Sequence, residues 1–260
     1  MACRLFMLVA LLLTCLNARA EDHLNLSLSL DYSSGRYGTP THTGIWYVPL
    51  EAEYVRDRFV GKLSIPFLSI SNTGAGKLVT GGRNPTLVNR PPARPVVNTS
   101  SGIGDVLLSL GYRAIWDFES NWYITPTGIV KLGTADESRG LGTGENDYSL
   151  QLDFARVMQD WTAFGHAGYT FVGDPAGLNL NNTAYGRIGI DYAWADKESV
   201  GAYFDLKERA SAGIAGRAEA TVYYIAPLDE HTKGSVFLRA GFTSSVPDWG
   251  GGISLTYSAF

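Results

Sequence analysis

Residues 23–32 read HLNLSLSLDY, with leucines at 24, 26, 28 and 30 alternating with Asn25, Ser27, Ser29 and Asp31. A period of two marks a strand with one apolar and one polar face. Apolar faces of the same period run over 48–54, 59–67, 106–116, 122–132, 148–154, 161–171, 184–194, 200–206, 220–224, 236–242 and 253–257. With the first segment they predict twelve strands, and no helical period competes with them after residue 20.

The connections alternate in length. Long ones follow the odd-numbered strands, at 33–44, 71–102, 134–146 and 173–182, with shorter members of the same set near 210–216 and 244–250. Tight ones follow the even-numbered strands, at 56–57, 117–121, 159–160, 195–198 and 228–234. Outer-membrane barrels have short periplasmic turns and longer external loops. On that rule both termini of this chain are expected in the periplasm.

Which face points inward decides the fold class. The faces opposite the apolar ones carry Glu51, Glu53, Lys62, Arg113, Lys131, Asp147, Asp153, Arg187, Asp191, Asp205, Lys207, Arg217, Glu219 and Arg239. In a closed barrel these enclose a polar lumen, and closure leaves no unpaired strand edge in lipid. The expected fold is therefore an all-β, transmembrane, antiparallel up-and-down β-barrel of about twelve strands. Glu51, Glu53, Arg113, Lys131, Asp153, Arg187, Asp191, Arg217, Glu219 and Arg239 are the expected lumen lining. Aromatic residues gather near the ends of the apolar faces, at Tyr32, Tyr54, Trp116, Trp122, Tyr148, Trp161, Tyr192, Trp194 and Tyr257. They are expected to form two girdles at the headgroup level.

The front of the chain fits this destination. Arg4, the apolar stretch 5–16 and Ala18-Arg19-Ala20 have the three-part order of a secretory signal peptide. That divides the chain into a signal at 1–20 and one barrel domain at 21–260. Both cysteines, Cys3 and Cys15, fall in the signal, so no disulfide or thiol chemistry is expected beyond it. The net charge of the whole chain is −4. Loss of Arg4 and Arg19 makes it about −6, which argues against nucleic acid as a partner. Past residue 20 no apolar run has the roughly 18 residues of a spanning helix. The terminal Phe260 is of the type expected to be read, on the last strand, by the barrel-insertion machinery.

Motifs for chemistry are sparse. Gly-Ala-Gly-Lys at 74–77 lacks the remaining residues of a phosphate loop, and GLGTG at 140–144 is not a dinucleotide fingerprint. His166 is the one histidine inside a strand, and residue 168, where a lipid-hydrolysing barrel would need Ser, is Gly. No metal-type Cys/His cluster occurs, and neither an enzyme nor a cofactor is expected. The segment 77–102 is dense in proline and glycine and has arginines but no acid. It reads as an external loop or a lumen gate. Arg83, Arg90 and Arg94 would pair with lumen carboxylates or with lipopolysaccharide phosphates.

SGIGDVLLSLGYR (101–113), TPTGIVKLGTAD (125–136) and GLGTGENDYSLQL (140–152) together resemble the outer-membrane family labelled "meta-pathway of phenol degradation". The resemblance implies a barrel that passes small molecules. The combined expectation is a channel or facilitator for passive uptake of small, hydrophobic or aromatic solutes, in contact with outer-membrane lipid and lipopolysaccharide. A non-conducting structural or surface-binding barrel and an outer-membrane lipid-modifying enzyme are the alternatives.

Overall fold

A computed structural model describes residues 22–38, 42–71, 77–80, 86–89, 99–175, 177, 179–195, 197–212 and 214–259, the side chains of 77–80 and 86–89 excepted. The expected signal peptide at 1–20, Arg83, Arg90, Arg94 and Phe260 lie outside these residues. In chain order the strands are β1 (His23–Gly35), β2 (Thr43–Arg56), β3 (Phe59–Ser71), β4 (Lys77–Thr80), β5 (Thr86–Asn89) and β6 (Thr99–Ile103). They continue with β7 (Val106–Tyr112), β8 (Ile115–Asp117), β9 (Trp122–Leu132), β10 (Asp147–Met158) and β11 (Trp161–Phe171). The last five are β12 (Thr183–Ala195), β13 (Glu198–Lys207), β14 (Arg217–Pro227), β15 (Thr232–Gly241) and β16 (Trp249–Ser258).

Every neighbouring pair in the large sheet is antiparallel, and β16 pairs with β1 from Asn25↔Ser258 to Ser34↔Trp249. The result is a closed 12-strand barrel in which β6, β7 and β8 occupy one wall position in succession. Among the described residues, β4 and β5 pair with each other as a separate two-stranded antiparallel sheet. Among the described residues no helix is long and apolar enough to span a membrane.

The apolar faces point outward. Leu28 is 52 % exposed on the barrel exterior, whereas Glu51 on the inward face of β2 is 8 % exposed. A soluble sandwich would have these two reversed. Outward aromatics form clusters at both rims. Tyr32 contacts Trp46 and Trp249 (centroids 4.8 and 5.7 Å) at one end, and Phe59–Tyr112 (5.3 Å) and Trp161–Tyr192 (4.6 Å) lie at the other. The second end is made of tight turns. Asp57, Asn121, Gln159 and Lys197 each take up the left-handed backbone there (φ 51, 57, 56 and 63°). We call it the turn end, and the opposite one the loop end. His23 and Ser258, the outer residues of β1 and β16, both lie at the turn end.

The fourth wall position departs from the sequence expectation in two ways. Its pairing with β3 begins at Thr99, not at Val106, and is interrupted at Gly104-Asp105. Lower down, Gly111 faces Thr127 but Ile115 faces Ile124, so four steps on one strand match three on the other. This is a β-bulge, and it reverses the alternation beyond it. Ile115 takes the outward place, and Trp116, expected in the lipid girdle, turns to the interior beside Tyr123 (4.8 Å).

The loop between β9 and β10 folds back on the wall and is held by one ammonium group. Lys131 Nζ donates to Asp105 Oδ2 (2.8 Å), Thr143 Oγ1 (3.1 Å) and the Glu145 carbonyl (2.9 Å), and lies 3.4 Å from Asp147. Asp105 also accepts the Ala135 backbone N–H (3.0 Å). Gly142 is required at this point, because a Cβ there would stand 2.8 Å from Asp105 Oδ1 and 2.6 Å from the Ala135 Cβ. Gly144 supplies a left-handed turn (φ 74°) on the way back to β10.

Two predictions follow from the wall and its pin. Leu28→Arg, near the middle of β1, should cost about 2–4 kcal/mol in urea unfolding from lipid vesicles, against about 0–1 for Val200→Arg near the turn-end rim. Lys131→Met leaves two enclosed carboxylates without their cation and should cost about 3–5 kcal/mol. The same variant should speed trypsin cleavage after Arg139, read by mass spectrometry of the native protein.

Candidate functional site

Inward residues of β2, β3, β7 and β9–β14 enclose a cavity of about 700 Å³. Its wall is charged because the inward parity of these strands carries the ionisable residues, and most of the charges meet a partner across the ladder. Lys62 on β3 lies between Glu51 and Glu53 of β2, at 3.4 and 3.8 Å. Arg187 on β12 grips Asp205 on β13 through two parallel bonds, Nε–Oδ1 2.8 Å and Nη2–Oδ2 3.0 Å, and its guanidinium lies over Tyr203 at 3.9 Å. Such a fork fixes both side chains more firmly than a single contact. Asp153 on β10 accepts from Thr127 Oγ1 (2.8 Å) and Gln151 Nε2 (2.6 Å), and His166 Nδ1 stands 4.0 Å away. The Tyr185 hydroxyl donates to Gln151 Oε1 (2.9 Å). At the turn end Arg113 stacks on Trp116, 4.0 Å from the ring centre.

The interior is not equally wet along its length. The side chains of Lys62, Glu53 and Asp153 retain 29, 33 and 39 % exposure, whereas those of Arg217 and Glu219 retain 7 and 1 %. Arg217 pairs with Glu219 and Arg239 with Asp31 in a packed layer toward the loop end. Beside that layer Tyr37, Ile45, Tyr47, Leu68, Ile70, Ala135 and Leu141 form an enclosed apolar cluster. The dryness of this cluster shows in Tyr37, whose hydroxyl is pushed up to about 12 by burial.

The sequence-expected residues divide accordingly. Glu51, Glu53, Arg113, Asp153, Arg187 and Arg217 border the cavity. Glu219 and Arg239 belong to the packed layer with Asp31. Asp191 faces inward nearer the turn end and accepts the Tyr223 hydroxyl at 2.7 Å. Lys131 faces inward too, but its ammonium is spent on the loop pin and its side chain is only 4 % exposed. Lys62, Asp205 and Lys207 share the inward parity and border the cavity without having been singled out as path residues. Asp31 carried the same signal on β1. Asp105 and Trp116 carried none, since one sits in a strand interruption and the other beyond the bulge.

Inward aromatic rings lie flat on inward glycines of the next strand. Tyr185 covers Gly168 and Tyr223 covers Gly201, and in each case a Cβ on the glycine would collide with the ring. The missing Cβ lets each ring pack directly against the backbone of the neighbouring strand. His166 has Asp153 and Arg187 as its cross-strand partners, an arrangement without a serine at either position. Among the described residues no three His, Cys, Asp or Glu side chains are gathered as a metal site.

Two solved structures of similar architecture are porins. The NanC porin matches with a TM-score of 0.59 at 9 % identity, over 89 % of this chain and 98 % of that one. The KdgM porin, in complex with disordered oligogalacturonate, matches with a TM-score of 0.53 at 11 % identity, over 91 and 99 %. At such identities the likeness is one of fold. No curated protein matches the sequence. The segments that converge on the Lys131 pin lie within a longer match, since residues 27–258 fit the family described as "Putative MetA-pathway of phenol degradation", and the chain belongs to that family.

Proposed function

We propose that this outer-membrane barrel is a passive channel or facilitator for small solutes, including hydrophobic or aromatic ones. The observation that carries the reading is the cavity of about 700 Å³ inside a closed wall, bordered by charged groups that remain accessible to water. A barrel whose only task was mechanical would gain by filling that space, because interiors are ordinarily close-packed. The fold shared with the two porins supports the reading. The tight turns and both described chain ends lie at one rim, which supports a periplasmic position for the termini and an external position for the loops. On this reading Arg83, Arg90 and Arg94 meet lipopolysaccharide phosphates or narrow the mouth, and β16 presents the chain to the insertion machinery.

One observation favours a non-conducting barrel. The layer of Asp31, Arg217, Glu219 and Arg239, with the apolar cluster beside it, packs into the interior near the loop end and narrows it. On the channel reading that layer is the constriction, and solutes pass beside it.

Planar-bilayer recordings separate the two. The full protein should show small openings, and deletion of residues 77–100 or Leu141→Ser should raise the conductance severalfold by loosening the loop end. Absence of openings in the full protein and in both variants would rule out the channel. Gly168→Val should push the Tyr185 ring off the wall and lower the conductance of whichever form conducts.

A further inference from the structure

Two cationic side chains of the cavity wall stand outside its direct ion pairs. Lys62 has Glu51 and Glu53, Arg187 has Asp205, and Arg217 has Glu219. Arg113 and Lys207 also border the cavity, and neither makes an ion pair with a described carboxylate. Lys207 stands directly across the ladder from Arg217, with Tyr185 on its other side. Like charges opposite each other on neighbouring strands are unfavourable unless an anion relieves them. Glu219 answers Arg217, and Lys207 has no described carboxylate in direct contact, Asp147 acting on it only from beyond ion-pair distance.

Arg113 sits toward the opposite end. Its guanidinium lies on the Trp116 ring at 4.0 Å. Stacking of this kind occupies the flat face of the group. It leaves the in-plane N–H donors, which match a carboxylate in a two-bond fork. The ring is in place only because the bulge between Gly111 and Ile115 turns Trp116 inward.

The rest of the lining narrows the ligand class. Val60, Leu107, Ile129 and Phe164 give the same cavity apolar surface. Glu51, Glu53 and Asp153 border it as well and would repel a polyanion. We infer that the cavity is a binding site and path for organic monocarboxylates with an apolar body, with Arg113 receiving the carboxylate near the turn end and Lys207 receiving it deeper in. The transport half of this inference rests on the channel reading, whereas the binding half stands without it.

Benzoate serves as the probe and benzyl alcohol as its uncharged counterpart. Folding of each variant is checked by heat-modifiable gel migration. In a KCl gradient the wild-type protein should prefer chloride. Arg113→Gln and Lys207→Gln should each move the reversal potential toward that of potassium, and the double variant should reverse its sign. Detergent-solubilised protein should bind labelled benzoate and not benzyl alcohol. Arg113→Gln should weaken that binding by about tenfold or more. Arg113→Lys, which keeps the charge and loses the fork, should preserve the chloride preference while weakening benzoate severalfold. Currents that prefer potassium, with no benzoate bound, would overturn the site and leave the channel standing. Benzoate binding that both glutamine variants abolish, in a protein that never conducts, would leave the site standing and overturn the channel. Benzoate binding indifferent to both substitutions would overturn the assignment of Arg113 and Lys207.

Discussion

The structure depends on the seam between β16 and β1. Hydrocarbon offers no partner to a backbone N–H or C=O, so a sheet can stand in lipid only when its first and last strands complete each other's ladder. Here the seam joins residues more than two hundred positions apart, from Asn25↔Ser258 to Ser34↔Trp249. Once it is made, outward residues at the depth of the hydrocarbon must be apolar or aromatic, and inward ones are freed from that demand. The leucines of β1 and the carboxylates of β2 are two sides of one requirement.

Freedom from lipid does not mean freedom from electrostatics. A charge drawn into the barrel loses water, and the wall answers by setting opposite charges across neighbouring strands. Arg187–Asp205 and Lys62 with Glu51 and Glu53 are solutions in the wet half. Lys131 with Asp105 and Asp147 is the dry version, and there the ion pair does the work of a rivet for the loop after β9. The same chemistry thus lines the cavity at one height and holds the architecture at another, and exposure tells the two apart.

Much of this was legible in the alternation itself. The twelve wall positions, the unequal connections and the inward parity of Glu51, Glu53, Arg187 and Arg217 all follow from a period of two. Parity says which side of the wall a residue faces, and nothing about its height or its partners. That is why Lys131 read like any other lining residue, although it is enclosed by Thr143 and the Glu145 carbonyl. Asp105 was illegible for a different reason, since it sits where the strand is interrupted. Trp116 was misread because one extra residue reverses every later assignment, and a bulge leaves no mark in hydropathy. The glycines of GLGTG were seen as loop residues, but their purpose needed the carboxylate of Asp105 beside Gly142.

The flat seating of Tyr185 on Gly168 and of Tyr223 on Gly201 has a further consequence. The diameter of a barrel is set by strand number and stagger, which evolution alters only in whole hairpins. Its effective calibre is set here by smaller parts. Exchanging one ring-and-glycine couple for two medium side chains would change the free cross-section at that height while every ladder bond stayed in place. A single scaffold of this kind can therefore be re-bored by paired point substitutions, step by step, without ever being opened.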